Sequence, residues 1–589
     1  LPIVPQAERR GDSPWQRSDA RTRAISEHIS AWDTPLHWTE LFALESRRAT
    51  LLYWLGVGLV VAGLFATHLL PCVDYPQHLA LSDTARRLHD PNAPERTEYE
   101  LNFFTYNGLF HFVVAGLSSV LPIELAGRSV VAVSLLAMAG ATLALVRILR
   151  RPPFHAALFT PILFSFATGW GFVNYVLATA VAAWTLVFLA LAAIRPRLPT
   201  LLAIAALGLL CAFAHVLAML VLCLIGAALV LELAWRTTPP SLGALERTMR
   251  TLLRAALVGL PLLLGCAFCV EVYRRQYGWD PNMYRDPTME GSAPPLWQKF
   301  VFFSAFATDL FGDATDQVVL WLAMGIMGFA AYKAWTRDGD RGRGSHANRA
   351  GGARTADAEP APPIVAPFVV MTLAYFTTPM VLIGTHLIFP RLAQWAVFGA
   401  VFATPAFPER IRARVREYVL RLGVAAGLSL LLHCMLFDAE TRDASAMIDD
   451  LPPGRSATAV IWDPGTIAFR NGTLTHLAAY YAARKHGQWA FAFARYLSVP
   501  VRFRSGSQPA WPLKGWEFDG EQYNPRCKYA RAFPLVLIKA PTHLSRDASG
   551  ESLVRQLVFK QDAAAVKLLS HHGRYWAFDT TGLPEDGTL

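Results

Sequence analysis

The run LLYWLGVGLVVAGLFATHLL, residues 51–70, carries no Asp, Glu, Lys or Arg over about twenty positions. At a rise of 1.5 Å per residue such a run matches a hydrocarbon core about 30 Å thick. Backbone placed there must satisfy its own hydrogen bonds, so a helix is the conformation open to it. Apolar runs of this kind recur at 127–147, 155–171, 175–194, 199–214, 216–235, 252–270, 317–335, 364–384, 391–406 and 419–436. The reading is therefore a polytopic α-helical membrane protein with about eleven transmembrane helices. A composition that is 53% hydrophobic and 17% charged agrees.

The basic residues orient the chain. Arg47 and Arg48, then Arg147, Arg150 and Arg151, then Arg195 and Arg197, then Arg236, Arg247, Arg250 and Arg254, the Lys333 to Arg354 loop and Arg410 to Arg421 all fall at alternate joints. Cytoplasmic loops are enriched in Lys and Arg, which sets the N-terminus inside. The formal net charge of +10 is thus spent at the membrane surface, and nucleic acid is not an expected partner. The segment GLFHFVVAGLSSVL, 108–121, with His111 inside it, is short for a crossing and is expected to lie along the interface. If it crossed, the later basic loops would face outward.

The domain division follows. Residues 1–50 form a cytoplasmic tail with one short amphipathic helix, DARTRAISEHISAW, and 51–437 form the transmembrane domain. That domain includes a first external loop at 71–126, a second at 271–316 with an interfacial helix, and a disordered cytoplasmic loop at 336–363. Residues 438–589 alternate ATAVIWD, VPVRFRS and FPLVLIKAP with THLAAYYAARKHG and ESLVRQLVF, the pattern of an extracytoplasmic mixed α/β domain. Seven scattered cysteines do not make a disulfide framework: Cys266 and Cys269 read as packing residues, and a Cys72–Cys527 bridge is permitted but not required. The inner (plasma) membrane is the expected location.

Where the first apolar run ends, LLPCVDYPQHLALSD brings back charge. Pro76 suits a first helical turn, so Asp74 reads as an N-cap with Gln77 completing a capping box. Asp74 and His78, four apart, also fall on similar sides of one turn and could move a proton or hold a metal. Two ligands leave a metal site incomplete, and no H-E-x-x-H or cysteine cluster supplies the rest. Asn471-Gly-Thr473 matches a glycosylation sequon.

The first span, a large external loop opening on Asp74, an amphipathic segment, and then AGRSVVAVSLLAMAGATLALVRILRR together resemble the front of the GT-C superfamily of membrane glycosyltransferases. The likeness continues through the hairpin at Asn174, the amphipathic PPLWQKFVFFSAFA and an external C-terminal domain. The resemblance implies transfer of a sugar from a polyprenyl-phosphate donor to an acceptor hydroxyl, and it places Asp74 at the first-loop aspartate that activates the acceptor; by its spacing His78 would orient that carboxylate or tune its pKa, and direct displacement would invert the anomeric carbon. The acceptor would be a glycan, lipid or protein. Many members carry a second acidic motif where GWGFVNYV offers Asn174, which speaks against a divalent metal, and no other cofactor is expected.

A lipid phosphate at the outer interface calls for cations at outer helix ends, and Arg391, Arg128, Arg274 and Arg275 hold such positions. Asn174 and His215, at the turns of outer hairpins, are expected to line the substrate cavity. His476 and Tyr480, on one helix of the external domain, are expected to meet the acceptor, with Trp511 and Trp516 as possible sugar platforms. Two rivals stand beside this reading: a non-catalytic scaffold in envelope assembly, which the missing acidic motif would suit, and a transporter or flippase, for which the sequence offers neither internal repeats nor charged residues in mid-span.

Overall fold

The computed structural model describes residues 41–277, 294–344, 362–381, 386–509, 515–542, 544 and 550–584. The expected helix DARTRAISEHISAW, most of the 336–363 loop and Trp511 lie outside the described residues.

Among the described residues the helices of nine residues or more are, in chain order, α1 (Arg47–Phe65), α2 (Tyr75–Arg87), α3 (Leu109–Leu117), α4 (Ile123–Ile148), α5 (Val173–Ile194), α6 (Leu198–Ala214), α7 (Val216–Thr237), α8 (Ala244–Gly259), α9 (Leu263–Tyr277), α10 (Thr315–Gly344), α11 (Ala366–Thr377), α12 (Ile388–Ala403), α13 (Glu409–Asp450), α14 (Leu477–Lys485) and α15 (Glu551–Phe559). Among the described residues, seven helical segments are long and apolar enough to cross a membrane: α1, α4, α5, α7, the joined α8–α9, α10 and α13. Three shorter apolar helices, α6, α11 and α12, complete the apolar set. The molecule is a multi-pass helical membrane protein with a sheet-containing C-terminal part.

One expected span is not a regular helix. Residues 155–171 form a 3-10 stretch, Pro153–Ile162, followed by a single turn at Phe166–Gly169. Pro153 starts it and Pro161 interrupts it, and a proline lacks the N–H that an α-helix needs. The segment is buried among other helices, where irregular backbone at membrane depth is tolerated. α3 is nine residues long, too short to cross.

Glycines set the central helix pair. A Cβ on Gly56 of α1 would meet the backbone of Gly423 of α13 at 2.9 Å, and one on Gly427 would meet the Gly56 carbonyl at 2.4 Å. Small residues let two backbones approach this closely, so the pair is held by van der Waals contact along its length. Gly63 lies against Leu430 and Cys434, and beyond the end of α1 the His68 amide donates to Asp438 at 2.6 Å. α1 and α13 therefore run parallel, and whatever follows α13 emerges on the face where α1 ends.

At the opposite face arginines close helix ends. Arg147 donates to the Ala43 carbonyl, Arg151 to Thr404 and Arg254 to Ile194, while Arg48 pairs with Glu417 at 2.7 Å. These are the residues whose alternation oriented the sequence.

The C-terminal part is built on a four-stranded sheet of order β2-β4-β6-β5, from β2 (Ala457–Ile461), β4 (Leu535–Lys539), β5 (Lys567–His572) and β6 (Tyr575–Asp579). β2 and β4 are parallel and the other pairings antiparallel. Val460, Val536, Ile538, Trp576 and Phe578 fill one side of it. A second, two-stranded sheet pairs β1 (Tyr99–Leu101) with β3 (Val501–Phe503), Glu100 opposite Arg502. The first loop and the C-terminal part are thus joined by backbone hydrogen bonds. Cys72 and Cys527 are both free thiols.

Candidate active site

Asp74 stands between the end of α1 and the start of α2, and its backbone is gripped from the side by the hairpin before α5. The Val73 amide donates to the Gly169 carbonyl at 3.1 Å and the Asp74 amide to the Trp170 carbonyl at 2.9 Å. Gly171 makes this approach possible: its φ is +79°, and a Cβ there would lie 2.5 Å from the Tyr75 nitrogen and 2.7 Å from that of Asp74.

The carboxylate does not cap its helix. Asp74 precedes α2 with φ −88° and ψ −7° and makes no side-chain bond to the first turn. Gln77 does not complete a capping box either: its Oε1 accepts from Trp489 Nε1 at 2.7 Å and its Nε2 donates to the Phe491 carbonyl at 3.0 Å. Asp74 Oδ1 instead accepts from His476 Nε2 at 3.2 Å, across 402 residues of sequence. The other nitrogen, Nδ1, lies 2.9 Å from Glu517 Oε1. Burial of the His476 ring opposes its charge, but Glu517 and Asp74 outweigh it and push its pKa up to about 10. At neutral pH an imidazolium therefore lies between two carboxylates. The Asp74 side chain keeps 16% exposure, enough for a small group to reach.

His78 does not orient Asp74, contrary to the spacing argument. Its Nδ1 pairs with His111 Nε2 at 3.0 Å, and Phe493 packs its edge on both His78 and His476, with centroids 5.6 and 5.7 Å away.

Arg391, the first-turn residue of α12 expected to hold phosphate, lies in the same neighbourhood, near enough for its charge to interact with that of Asp74. It is buried, with its guanidinium 3.7 Å over the Phe172 ring and Nη2 donating to the His386 carbonyl at 3.1 Å. Nη1 faces His215 Nε2 at 3.3 Å. His215 caps α7: its Nδ1 accepts from the Leu217 amide at 3.1 Å, so in the neutral ring the proton is on Nε2. Two donors therefore face one another, with no acceptor for either among the described residues. Arg391 Nε and Asn174 Oδ1 are also buried without a partner among the described residues.

Other expected residues are spent elsewhere. Arg128 donates to the Thr67 and His68 carbonyls, in the turn that follows α1, and pairs with Glu124 at 3.8 Å. Arg274 and Arg275 both pair with Glu271 at 2.7 Å on the surface, Arg275 lying over Phe104 as well, and they are not brought to Asp74. Tyr480 is buried, its hydroxyl donating to the Leu70 carbonyl and accepting from the Leu70 amide, so it meets no acceptor. Trp516 is core, bonded to Thr458 Oγ1 at 2.9 Å. The Asn471 amide is buried, which closes that sequon to modification. Glu517 and His111 belong to the site and were not singled out from the sequence as site residues. Neither stands in a motif, since each is placed by long-range packing.

Among the described residues, no group of three or more His, Cys, Asp or Glu side chains is placed to hold a metal ion. A cleft of about 490 Å³ is lined by Asp83, Arg86, Glu124, Arg484 and His486 rather than by Asp74.

No family model and no curated protein matches the sequence. Among solved structures, the chain is similar to ArnT from Cupriavidus metallidurans bound to undecaprenyl phosphate, with 12% identity over 91% of this chain and 99% of that one and a TM-score of 0.48. It is also similar to the apo state of the same protein, with 13% identity over 90% and 97% and a TM-score of 0.44.

Proposed function

We propose that this protein is a membrane glycosyltransferase that moves a sugar from a polyprenyl-phosphate donor to an acceptor hydroxyl. The observation that carries the reading is the placement, at one end of the helix bundle, of an oriented carboxylate together with a buried guanidinium and imidazole. Asp74 is held by His476 and still reachable, and Arg391 Nη1 and His215 Nε2 present two donors with no acceptor among the described residues. The end of α1 and the starts of α7 and α12 bring these groups to the level where a lipid headgroup meets water, so a phosphate could enter there with its tail left in hydrocarbon.

In this reading phosphate oxygens lie between Arg391 Nη1 and His215 Nε2–H, and the sugar's anomeric carbon faces Asp74. Charge grows on the phosphate as the glycosidic bond breaks, and preorganised donors stabilise it there more than in the ground state. The acceptor oxygen attacks the opposite side of that carbon while Asp74 takes its proton, which inverts the anomeric configuration. His476, as a cation, fixes one carboxylate oxygen and leaves the other for the hydroxyl. The surrounding burial keeps water from competing.

The test uses membranes containing the full chain and a pool of radiolabelled lipid-linked sugars. Asp74→Asn keeps the shape of the side chain and should lower transfer by about 10²–10⁴-fold, and Arg391→Gln by about 10²–10³-fold, with expression unchanged. Wild-type membranes that move no label from the lipid fraction, or an Asp74→Asn chain that moves it at the wild-type rate, would overturn the assignment.

A further inference from the structure

A second cleft, of about 690 Å³, opens on the C-terminal part beyond the ends of its two parallel strands, where Trp462 follows β2 and Pro541 comes shortly after β4. Its size falls within the range of about 300–1,000 Å³ usual for small-molecule sites. Ligands of α/β sheets commonly bind in this position, outside the carboxyl ends of parallel strands. α15 supplies another wall through Leu553, Gln556 and Leu557, and residues 518–521 supply the last.

The lining mixes hydrocarbon with polar groups that have no partner. Phe518 is 63% exposed and Leu553 49%, so neither is held by burial in the protein's own core. Trp462 is half-buried, and its indole N–H makes no hydrogen bond among the described residues. By contrast the indoles of Trp489 and Trp516, in the same part of the molecule, donate to Gln77 and Thr458. The Gln556 amide and the Glu521 carboxylate are exposed and also unbonded among the described residues.

The aromatic platform is fixed in place. Asp519 Oδ1 accepts from the Glu521 amide at 3.1 Å and starts a tight turn at Gly520, where a Cβ would press into the six-membered ring of Trp462. A ring already held loses little freedom when a ligand settles on it.

Charge and polarity narrow the occupant. Among the described residues, Asp519 and Glu521 are the only charged groups that line the cleft, so it offers no cation to a phosphate or an anionic headgroup. A wholly apolar occupant would cover the Trp462 N–H and the Glu521 carboxylate without pairing them, which is costly. A pyranose presents a C–H face to an aromatic ring and a rim of hydroxyls that both donate and accept, the complement of this lining.

We infer that this cleft binds a short oligosaccharide, uncharged or carrying amino groups, with sugar rings on Trp462 and Phe518 and the polar rim bonded to Glu521, Gln556 and the indole N–H. The inference stands apart from the glycosyl-transfer reading, because the cleft shares no residue with the Asp74 site. The chain nevertheless joins the two: Glu517, 2.9 Å from His476, directly precedes Phe518.

The test is saturation-transfer NMR of oligosaccharides mixed with the full chain in lipid nanodiscs, which avoid the sugar headgroups of maltoside detergents. The probes are maltotetraose, cellotetraose, chitotetraose, its deacetylated form and oligogalacturonate. At least one of the first four should receive saturation, strongest at ring C–H protons, and oligogalacturonate should not. Phe518→Ala, at an exposed position, should keep the wild-type melting temperature and raise the Kd about tenfold. Trp462→Ala should weaken binding at least as much. No saturation of any of the four, preference for oligogalacturonate, or a Kd unchanged in both variants overturns the inference. A chain that moves radiolabelled lipid-linked sugar but binds none of the probes overturns this inference alone, and a chain that binds them at the cleft but moves no label overturns only the transfer reading.

Discussion

Changing His476 to Gln should flatten the dependence of stability on pH across a window set by this one residue. In the folded protein the ring lies between Asp74 and Glu517 and its pKa is pushed up to about 10, against about 6.5 in an unfolded chain. A folded-state value above the unfolded one means that folding takes up a proton between these limits. The contribution is therefore fully present below pH 6.5 and is lost as pH rises toward 10. At about 1.36 kcal/mol per pH unit, the whole window corresponds to on the order of 5 kcal/mol. The ring is almost fully buried, so solvent screening discounts this little. The assay is equilibrium unfolding of the full chain in mixed micelles at pH 6.5, 8 and 9.5. Between the first and last of these, wild type should lose about 4 kcal/mol relative to His476→Gln. Parallel curves for the two chains would refute the claim that an imidazolium bridges the two carboxylates.

Two further outcomes follow from the packing. Gly171→Ala places a methyl group against the Tyr75 and Asp74 nitrogens at a positive φ, so it should displace the Asp74 backbone; transfer should fall with Asp74 intact, and the melting temperature should drop by several degrees, corresponding to about 1–3 kcal/mol. Single cysteines at the exposed positions Asp90 and Glu521 should label from the same side of sealed vesicles and Arg414 from the other, as the parallel course of α1 and α13 requires. Labelling of Asp90 and Glu521 from opposite sides would refute that course.

The membrane class and most helices were legible because burial in lipid leaves a mark on composition, and composition is what a hydropathy window reads. The alternating arginines could be read for the same reason. Residues 155–171 misled it, because the window registers apolar side chains and is blind to the N–H that Pro161 lacks. The site was legible in its members and not in their bonds. Asp74 and Arg391 stood out as charges beside apolar runs, but the partner of Asp74 lies 402 residues away and the four-residue spacing pointed to His78 instead. Arg128 had the same outward position as Arg391. Its carbonyl partners, in the turn that follows α1, become visible only when α4 is packed beside it.

The 42 residues of α13 make a rod about 63 Å long, roughly twice the thickness of the lipid it threads. Its near half is locked to α1 through Gly56, Gly423 and Gly427, and its far half supports the sheet through Glu440 and Asp450. α1 carries Asp74 just past its end, and the sheet's own unit carries His476. Both halves of the ion pair are thereby mounted on a single chassis. Thinning or stretching of the surrounding bilayer would tilt that chassis as a whole and leave the gap between carboxylate and imidazole at its resting width.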